Sequence, residues 1–310
     1  MAKVFILVGH GGKDPGAVGY IKEADANLVM AQGCMDYLKE HGVEVAMSRY
    51  KDENDTTEEA IVECNAFNPD LAVDVHANSG GGDGFEVFYH HLGGNSKKLA
   101  QNIERYVIAI GQNSRGCKIR MNSKGNADYY ASIRKVKASS VICEAAFVDN
   151  KKDVQIIDTE VEQRLMGRAY AKGIIDTLKE MGLYTENYIN YAAHIENIGW
   201  QDEKSNWQLA GTEGKGLRLE AIIINSNVPL QYRVHIENIG WQDWRGLGCM
   251  AGTEGKGLRI EALHIVSQKP IRAQAHIEKI GDTQVYEGTD FIIGTEGKAL
   301  RLESLRLDII

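Results

Sequence analysis

Two kinds of hydrophobic pattern divide the chain. Over residues 1–182, short apolar runs alternate with longer stretches in which apolar residues recur every three or four positions. The short runs are typical of buried strands and the longer spacing of amphipathic helices, so this part predicts an α/β domain with a twisted mixed or parallel sheet flanked by helices. The predicted strands cover residues 4–8, 43–47, 71–75, 84–89 and 141–143, and the predicted helices cover residues 23–39, 56–66, 96–111 and 160–181.

Beyond residue 192 the sequence repeats itself. The heptapeptide His-Ile-Glu-Asn-Ile-Gly-Trp begins at His194 and His235, and a diverged copy begins at His276, so each histidine lies 41 residues after the last. A Gly-Thr-Glu-Gly turn and a β-branched or alternating run follow in each copy, without helical spacing, which predicts an all-β domain of three repeats. The domain is predicted at residues 193–310, its repeats at about 188–228, 229–269 and 270–310, and a linker at 183–192.

Closure of the three repeats into a single fold is the favoured architecture. Three units of this length fit a β-trefoil, because closure removes the exposed sheet edges that invite pairing with other chains. An open array of small β modules is the alternative.

Composition narrows the possible functions. The 310 residues carry a formal charge of −8, which is unsuited to the phosphates of nucleic acid, so a neutral or carbohydrate-like substrate is expected. The five cysteines show no CxxC spacing, which favours neither a disulfide framework nor a cysteine zinc site and indicates a reducing compartment. No apolar stretch reaches the about 18 residues of a membrane span, and no signal peptide is visible at the start.

Four polar residues of the first domain are candidates for chemistry. His10, His76 and Glu144 each follow an apolar run that is predicted to be a strand, and Glu23 opens a predicted helix. Ligands of α/β sheets bind outside the carboxyl ends of the strands, so these residues are predicted to meet in one cleft. Two histidines and one carboxylate form a three-ligand zinc site with a fourth position for water. This assigns His10, Glu23 and His76 to the metal and leaves Glu144 as the general base.

Each of these residues also has a structural interpretation. A lone histidine at a strand end is more often hydrogen-bonded than metal-bound, and a first-turn carboxylate such as Glu23 is favoured by the helix dipole. Glu144 is harder to explain structurally, because a carboxylate between apolar residues is costly unless it is paired or functional.

Four motifs of the first domain resemble a known enzyme family. They are Val8-Gly-His-Gly-Gly-Lys-Asp-Pro-Gly-Ala-Val-Gly19, Glu23 with Asn27, Val73-Asp-Val-His-Ala-Asn-Ser79, and Cys143-Glu-Ala-Ala-Phe-Val-Asp-Asn150. In this order, over residues 3–180, the chain resembles the zinc N-acetylmuramoyl-L-alanine amidases of the family 3 type, which are found in bacterial autolysins and phage endolysins.

The resemblance implies the reaction and the role of several residues. It implies one zinc ion held by the residues already singled out, Glu144 as the catalytic glutamate, and cleavage of the amide between N-acetylmuramic acid and L-alanine. Asn78, in the third motif, is taken as a substrate-binding residue. Cys64 stands where an arginine is common, and Asp74 replaces the more usual serine; these departures bear on substrate preference rather than on the reaction.

The repeats resemble a second family, the clostridial hydrophobic repeats with a conserved tryptophan, over about residues 190–310. Such repeats accompany surface and cell-wall proteins of clostridia and their phages, which implies attachment to a cell-wall polymer. Trp200 and Trp241 either offer faces on which sugar rings stack or fill the core of each repeat. Asp282 replaces the tryptophan in the third copy. Residues that recur in every copy, such as Arg218 and Glu220, are interpreted as structural.

The sequence therefore predicts a peptidoglycan hydrolase that acts on the cell wall without binding nucleic acid or inserting into a membrane. Without a visible signal peptide, a phage endolysin that waits in the host cytoplasm until lysis is favoured, and a host autolysin is the alternative. The competing classes are a zinc peptidase that acts on stem peptides, a cysteine hydrolase, and a wall-binding protein with an inactive amidase domain. The sequence leaves the oligomeric state open.

Overall fold

The chain forms two compact units in the computed structural model, which describes residues 2–310. The first unit ends at Thr185, and the second comprises Glu186–Ile310. The predicted linker, residues 183–192, includes the first residues of a strand, Ile189–Ile195. In the part of the chain that is described, no helix is long and apolar enough to cross a membrane.

A six-stranded mixed sheet with flanking helices forms the first unit. Its elements are β1 (Lys3–Val8), α1 (Glu23–Glu40), β2 (Glu44–Met47), α2 (Thr57–Phe67), β3 (Leu71–Asn78), β4 (Phe85–Tyr89), α3 (Asn95–Ala109), β5 (Ser114–Lys118), α4 (Ala131–Lys135), β6 (Ser139–Phe147), a single 3-10 turn (Asp153–Ile156) and α5 (Glu160–Glu180). The strands lie in the order β2-β1-β3-β6-β4-β5. Neighbouring strands run parallel except β4 and β6, which run antiparallel. The prediction of an α/β domain with a mixed sheet is therefore confirmed.

Helices cover both faces of this sheet because its central strands are apolar on both faces. Ile6 and Val73 face the core beneath α1, α3 and α5, whereas Leu7 and Ala72 face the smaller core beneath α2. Helix α1 packs closely on α5 at Gly167, where a Cβ atom would lie 1.9 Å from the carbonyl oxygen of Met30.

Two strands extend further than their apolar runs predicted. Strands β3 and β6 pair in parallel from Leu71 opposite Ser139 to Asn78 opposite Phe147, so the ladder continues past both runs. His76 and Glu144 therefore lie inside strands, and the prediction that they follow strand ends was wrong. His10 does follow its strand, two residues after the end of β1.

Two short elements of the first unit were not predicted. Strand β5 lies at the edge of the sheet and has the polar sequence Ser-Arg-Gly-Cys-Lys, which lacks the alternation of a half-buried strand. Helix α4 has only five residues, too few for a helical period to be recognised.

The second unit is β-rich, as predicted, and its core uses the same positions of all three repeats. On three equivalent strands, alternate residues such as Tyr191, Tyr232 and Ala273 are buried in one shared hydrophobic core. The strands are β7 (Ile189–Ile195), β8 (Gly199–Trp200), β9 (Lys204–Ser205), β10 (Ala210–Gly211), β11 (Leu219–Ser226), β12 (Leu230–Ile236), β13 (Gly240–Trp241), β14 (Ala251–Gly252), β15 (Ile260–Ile277), β16 (Gly281–Asp282), β17 (Tyr286–Gly294) and β18 (Leu302–Ile309).

Antiparallel strand contacts join the three repeats in a ring. The first repeat pairs with the third through β10 and β18, and the second pairs with the first through β14 and β11. The third repeat pairs with the second through Ile293 and Gly294, which lie opposite Leu263 and Ala262. The pairing thus passes round all three repeats and returns to the first.

Candidate functional site

Three side chains from separate parts of the first unit meet at one point. The candidate ligand atoms of His10, Glu23 and His76 all lie within 4.8 Å of one another. Glu23 Oε1 is 3.3 Å from His10 Nε2 and 3.1 Å from His76 Nδ1. The structure therefore brings together the three residues that were predicted to hold zinc.

The glycine-rich loop after β1 brings His10 to Glu23. His10 has a left-handed backbone with φ 64°, an unusual conformation for a residue with a side chain. The loop passes so close that a Cβ atom on Gly9 would lie 2.2 Å from the His76 ring, and one on Gly16 would lie 2.6 Å from a Glu23 oxygen. Only glycine fits at these two positions without displacing a candidate ligand.

Glu23 is fixed by hydrogen bonds to both of its oxygens. In the first turn of α1, it is 4% exposed and accepts the backbone N–H of Ala17 on Oε2 and that of Ala77 on Oε1. Burial is the largest effect on this carboxyl and would raise its pKa, but the hydrogen bonds with His10 and His76 hold the pKa of Glu23 well below its usual value. Glu23 is therefore a buried anion at the centre of the cluster.

Two further carboxylates hold the outer nitrogens of the histidines. Asp14 Oδ2 is 2.8 Å from His10 Nδ1, and Asp74 Oδ1 is 3.2 Å from His76 Nε2. Asp74 and His76 are two positions apart on β3, so their side chains project from the same face of the sheet. Each outer nitrogen can donate to a carboxylate, so His10 Nε2 and His76 Nδ1 are the nitrogens that would be available to a metal ion. Such second partners orient histidine ligands in metal sites.

The donor set fits zinc. Two imidazole nitrogens and one carboxylate oxygen are a common ligand set of catalytic zinc sites, which keep one position for water. Without a metal, His10 Nε2 and His76 Nδ1 hydrogen-bond Glu23 Oε1, and a bound cation would take the place of the protons on these inner nitrogens. His10, Glu23 and His76 are thus the residues that would hold the ion.

Glu144 lies beside this cluster on the neighbouring strand. It is paired in register with His76 across β3 and β6, and with Glu86 across β6 and β4, so the three residues form a row across the sheet. Burial raises the pKa of Glu144 from 4.5 to about 7, although the charge on His76 opposes the rise. Glu86 does not share this environment, because Arg115 and Lys118 pair with it.

A cleft of about 510 Å³ opens beside the cluster, and its walls include residues that the sequence did not mark. His10 and His76 line one side, and residues 54–57, which lead into α2, line the other. Asp14 was part of a motif but had no assigned role, because its contact with His10 depends on the turn between them. Asn78 lies at the end of β3, where its amide donates to Glu86 over 3.5 Å and its Oδ1 accepts the N–H of Ser79.

The cysteines of the first unit do not form a nucleophilic site. Burial raises the pKa of Cys34, Cys64, Cys117 and Cys143, so all four are thiols at neutral pH. A thiolate is the reactive form of a cysteine nucleophile. The cysteine-hydrolase alternative therefore has no candidate in this unit.

A second histidine cluster in the same unit is a hydrogen-bonded network rather than a metal site. His90 and His91 both contact the buried carboxylate of Asp128, at 3.2 and 2.8 Å. The N–H of Leu92 donates to His90 Nδ1 over 3.2 Å, so the proton of that ring lies on Nε2 and faces Asp128. In this tautomer Nε2 has no lone pair for a metal.

In the second unit, the charged residues that recur in each repeat form the same contacts each time. Arg218 binds Glu196 and the buried Glu220, and the two other copies form the corresponding ion pairs. Because a buried carboxylate needs a partner, these recurring residues have a structural role. The corresponding pairs are Arg259 with Glu237 and Glu261, and Arg301 with Glu278 and Glu303.

The two candidate tryptophans lie at equivalent, half-buried positions outside the core. Trp200 contacts His194 edge to face, and Trp241 contacts His235 in the same way, each with ring centroids 5.5 Å apart. In the third repeat Asp282 replaces the tryptophan and lies 2.7 Å from His276 Nδ1. The aromatic contact is thus replaced by a hydrogen bond in that copy.

Comparisons with known proteins agree with this arrangement. Residues 4–176 match the family described as N-acetylmuramoyl-L-alanine amidase, and residues 194–226 and 235–268 match the family described as clostridial hydrophobic W. The uncharacterized protein YqiI of Bacillus subtilis is 34% identical over 177 residues, which are 55% of this chain and 82% of that protein. The sporulation-specific N-acetylmuramoyl-L-alanine amidase of Bacillus subtilis is 29% identical over 179 residues, which are 56% of this chain and 67% of that protein.

A solved structure shares the fold of the first unit. The catalytic domain of CwlV, an N-acetylmuramoyl-L-alanine amidase from Bacillus (Paenibacillus) polymyxa, aligns with a TM-score of 0.52 and 26% identity. The alignment covers 59% of this chain and 100% of that domain.

Proposed function

Because the chain belongs to the N-acetylmuramoyl-L-alanine amidase family, we propose that its first unit is a zinc hydrolase that cuts the amide between N-acetylmuramic acid and the L-alanine of the stem peptide. The observation that carries this proposal is the convergence of His10, Glu23 and His76, with Glu144 on the adjacent strand. Three candidate metal ligands next to an ionisable group of raised pKa support a metal-assisted hydrolysis.

The roles of the side chains follow from this geometry. His10, Glu23 and His76 would hold the ion, which when bound would act as a Lewis acid toward the scissile carbonyl and lower the pKa of a water molecule. Glu144 accepts the proton of the attacking water and returns it to the nitrogen of the leaving amine. A group with a pKa near 7 is suited to both transfers.

Products released from purified peptidoglycan test the reaction. Free amino groups should appear without new reducing ends, and mass analysis should identify intact stem peptides that begin with L-alanine. New reducing ends would instead indicate a glycosidase, and shorter peptides would indicate a zinc peptidase.

Two classes of variant separate the proposed roles. His10→Ala and His76→Ala should lose bound zinc, whereas Glu144→Gln should keep zinc and lose activity. Glu58→Gln is the matched control, because Glu58 is exposed and pairs only with Lys135 in the described structure. Retention of zinc by both histidine variants would contradict the ligand assignment.

For the second unit we propose a closed β-trefoil that binds a cell-wall polymer. The ring of strand pairings and the match of two repeats to the clostridial hydrophobic W family support this proposal. The Glu144→Gln chain should sediment with purified walls while leaving them undigested. A chain that stays in the supernatant would contradict a wall-binding role.

Release at lysis as a phage endolysin, rather than export as a host autolysin, stays a prediction. Expression in a wall-bearing host with and without a membrane-permeabilising holin separates the two. Lysis only when the holin is present is expected, and lysis without it would indicate an exported autolysin.

A further inference from the structure

We propose that the outer face of the second repeat carries a binding site for a negatively charged sugar polymer, formed by Arg233, Trp241, Trp244 and His264. This inference rests on the proposed wall-binding role of the second unit and specifies where the polymer binds and which chemistry is recognised.

The four side chains form one cluster. The Arg233 guanidinium contacts two indole rings, with its carbon 5.0 Å from the ring centroid of Trp241 and 4.6 Å from that of Trp244. The ring of His264 lies 4.7 Å from that of Trp244, and its Nδ1 is 3.3 Å from an Arg233 nitrogen. Stacking of this kind holds both the cation and the aromatic rings in place.

The cluster lies on the face of the sheet that points away from the core. Arg233 on β12 is opposite His264 on β15, which is in turn opposite Ile292 on β17. The residues on either side of this row, such as Tyr232 and Leu263, are buried in the core, so the row itself faces outward. Trp244 is 36% exposed and Ile292 is 41% exposed, which leaves apolar surface beside the guanidinium.

The other two repeats serve as an internal comparison. Positions that the fold requires recur in every copy, but the position of Arg233 is Ala192 in the first repeat and Gln274 in the third. By strand pairing, the position of His264 is Ile223 in the first repeat and Arg306 in the third. The threefold scaffold therefore does not need the cluster, yet its members come together in space.

The position of Trp244 also differs between the copies, being Glu203 in the first repeat and Val285 in the third. Three residues that are unique to the second repeat thus meet around a tryptophan, Trp241, that it shares with the first. Convergence of unique residues on an exposed face indicates a role in binding rather than in folding.

The chemistry of the cluster selects a charged sugar. The partly exposed indole of Trp244, with Ile292 opposite His264 on the neighbouring strand, offers apolar surface for a sugar ring. Within residues 2–310, Arg233 forms no ion pair, so its charge is free to attract an anionic group of the ligand. Asp290 is 2.8 Å from His264 Nε2 and is mostly exposed, so it offers an acceptor for sugar hydroxyls. The apolar surface, the Arg233 cation and the Asp290 acceptor together fit a sugar chain that carries phosphate or carboxylate groups.

The test uses the full chain with Glu144→Gln, so that walls are bound without being digested. Binding is measured by sedimentation with intact clostridial walls and with walls whose phosphodiester-linked polymers have been removed by hydrofluoric acid. Trp244→Ala and Arg233→Gln are each expected to raise the Kd for intact walls at least about tenfold, a loss typical of one stacking contact. Trp244→Phe should retain most of the binding.

Ile280→Ala is the control, because Ile280 is an apolar side chain, 52% exposed, in a repeat that lacks the cluster. It should bind like the parent chain. Binding that disappears on stripped walls assigns the charge to a phosphate polymer, and binding that persists assigns it to peptidoglycan; both support the site. Unchanged binding by Trp244→Ala and Arg233→Gln, or an equal loss with Ile280→Ala, would overturn it.

Folding of each variant is checked by denaturant unfolding followed by tryptophan fluorescence. If Trp244→Ala fails to fold, Arg233→Gln and Trp244→Phe decide the outcome. A parent chain that binds neither wall preparation would refute the wall-binding role itself, which is a different result from a parent that binds and variants that bind equally well.

Discussion

His76 and Glu144 occupy paired positions on adjacent parallel strands, so the proposed metal ligand and the proposed base lie side by side on one face of the sheet. Neither residue depends on a flexible loop for its position. The hydrogen bonds between β3 and β6 fix the distance between the backbones of these two residues. A rigid arrangement of this kind suits a site that must hold a metal and transfer a proton.

The raised pKa of Glu144 predicts a pH-dependent difference in stability. In the metal-free protein its pKa is about 7, whereas a free glutamate has 4.5. Between these values the folded state holds a proton that the unfolded state has lost, so the wild type loses stability as pH rises, by at most about 3 kcal/mol. Glu144→Gln lacks this loss.

The measurement is the difference in Tm between Glu144→Gln and wild type, in chelator, from pH 4.5 to 8. We expect the Tm of Glu144→Gln to rise relative to the Tm of the wild type as the pH increases toward 7. Above pH 7 the difference in Tm should become constant. A constant difference over this range would show that Glu144 titrates normally.

Asp74 is predicted to strengthen zinc binding through His76. Its carboxylate holds His76 Nε2 and thereby leaves Nδ1 for the metal. Asp74→Asn removes the charge, and loss of such a partner typically weakens metal affinity 10- to 100-fold, so a loss of at least about tenfold is expected. Competition with a chelator of known affinity measures the change. Asp70→Asn is the control, because Asp70 precedes the same strand and accepts the N–H of Lys3; equal affinities of the two variants would exclude this role for Asp74.

Gly9→Ala is expected to disrupt the metal centre while the fold persists. The added Cβ would lie 2.2 Å from the ring of His76, which must then move away from Glu23. Misplacement of one of three ligands should lower zinc affinity at least about tenfold. Gly288→Ala is the same change at a position with no atom within 4 Å, and it should bind zinc normally. Normal zinc binding by Gly9→Ala would show that the loop after β1 can shift to accommodate the methyl group without displacing His76.

Arg259→Ala is expected to destabilise the second unit by about 2–3 kcal/mol, because it removes the cation that neutralises the buried Glu261. Arg259 also pairs with Glu237. Arg306→Ala removes an arginine whose partner, Glu213, is more exposed, and it should cost less than about 1 kcal/mol. All four tryptophans lie in this unit, so their fluorescence follows its unfolding separately. Equal losses in the two variants would argue against the buried pair as the cause.

Much of the catalytic unit could be predicted from its sequence, because its buried strands and amphipathic helices have clear apolar periods. The convergence of His10 and His76 could also be anticipated, since residues near the ends of parallel strands meet at one edge. The extent of β3 could not, because its last residues are held by pairing with β6 rather than by their own hydrophobicity. The contact between Asp74 and His76 could not be predicted either, because it depends on both side chains lying on the same face of β3.

In the second unit, the repeats predicted β structure, but the cluster around Arg233 was not visible. Arg233 and His264 are 31 positions apart and meet only through the register of β12 and β15. Trp244 is in an irregular segment whose path no local pattern specifies. The repeat pattern identifies the residues that recur in every copy, and these have structural roles. The cluster around Arg233 consists mainly of residues that do not recur, so the pattern could not indicate it.

The ring of strand pairings limits how this unit can evolve. In open repeat arrays each copy contacts only its neighbours, so unequal recombination can add or delete copies one at a time. Here the last strand, β18, pairs with β10 of the first repeat, and an inserted or deleted copy would separate these partners. We therefore expect the number of copies to stay at three and new specificity to arise by divergence within a copy, as the cluster around Arg233 in the second repeat and Asp282 in the third illustrate.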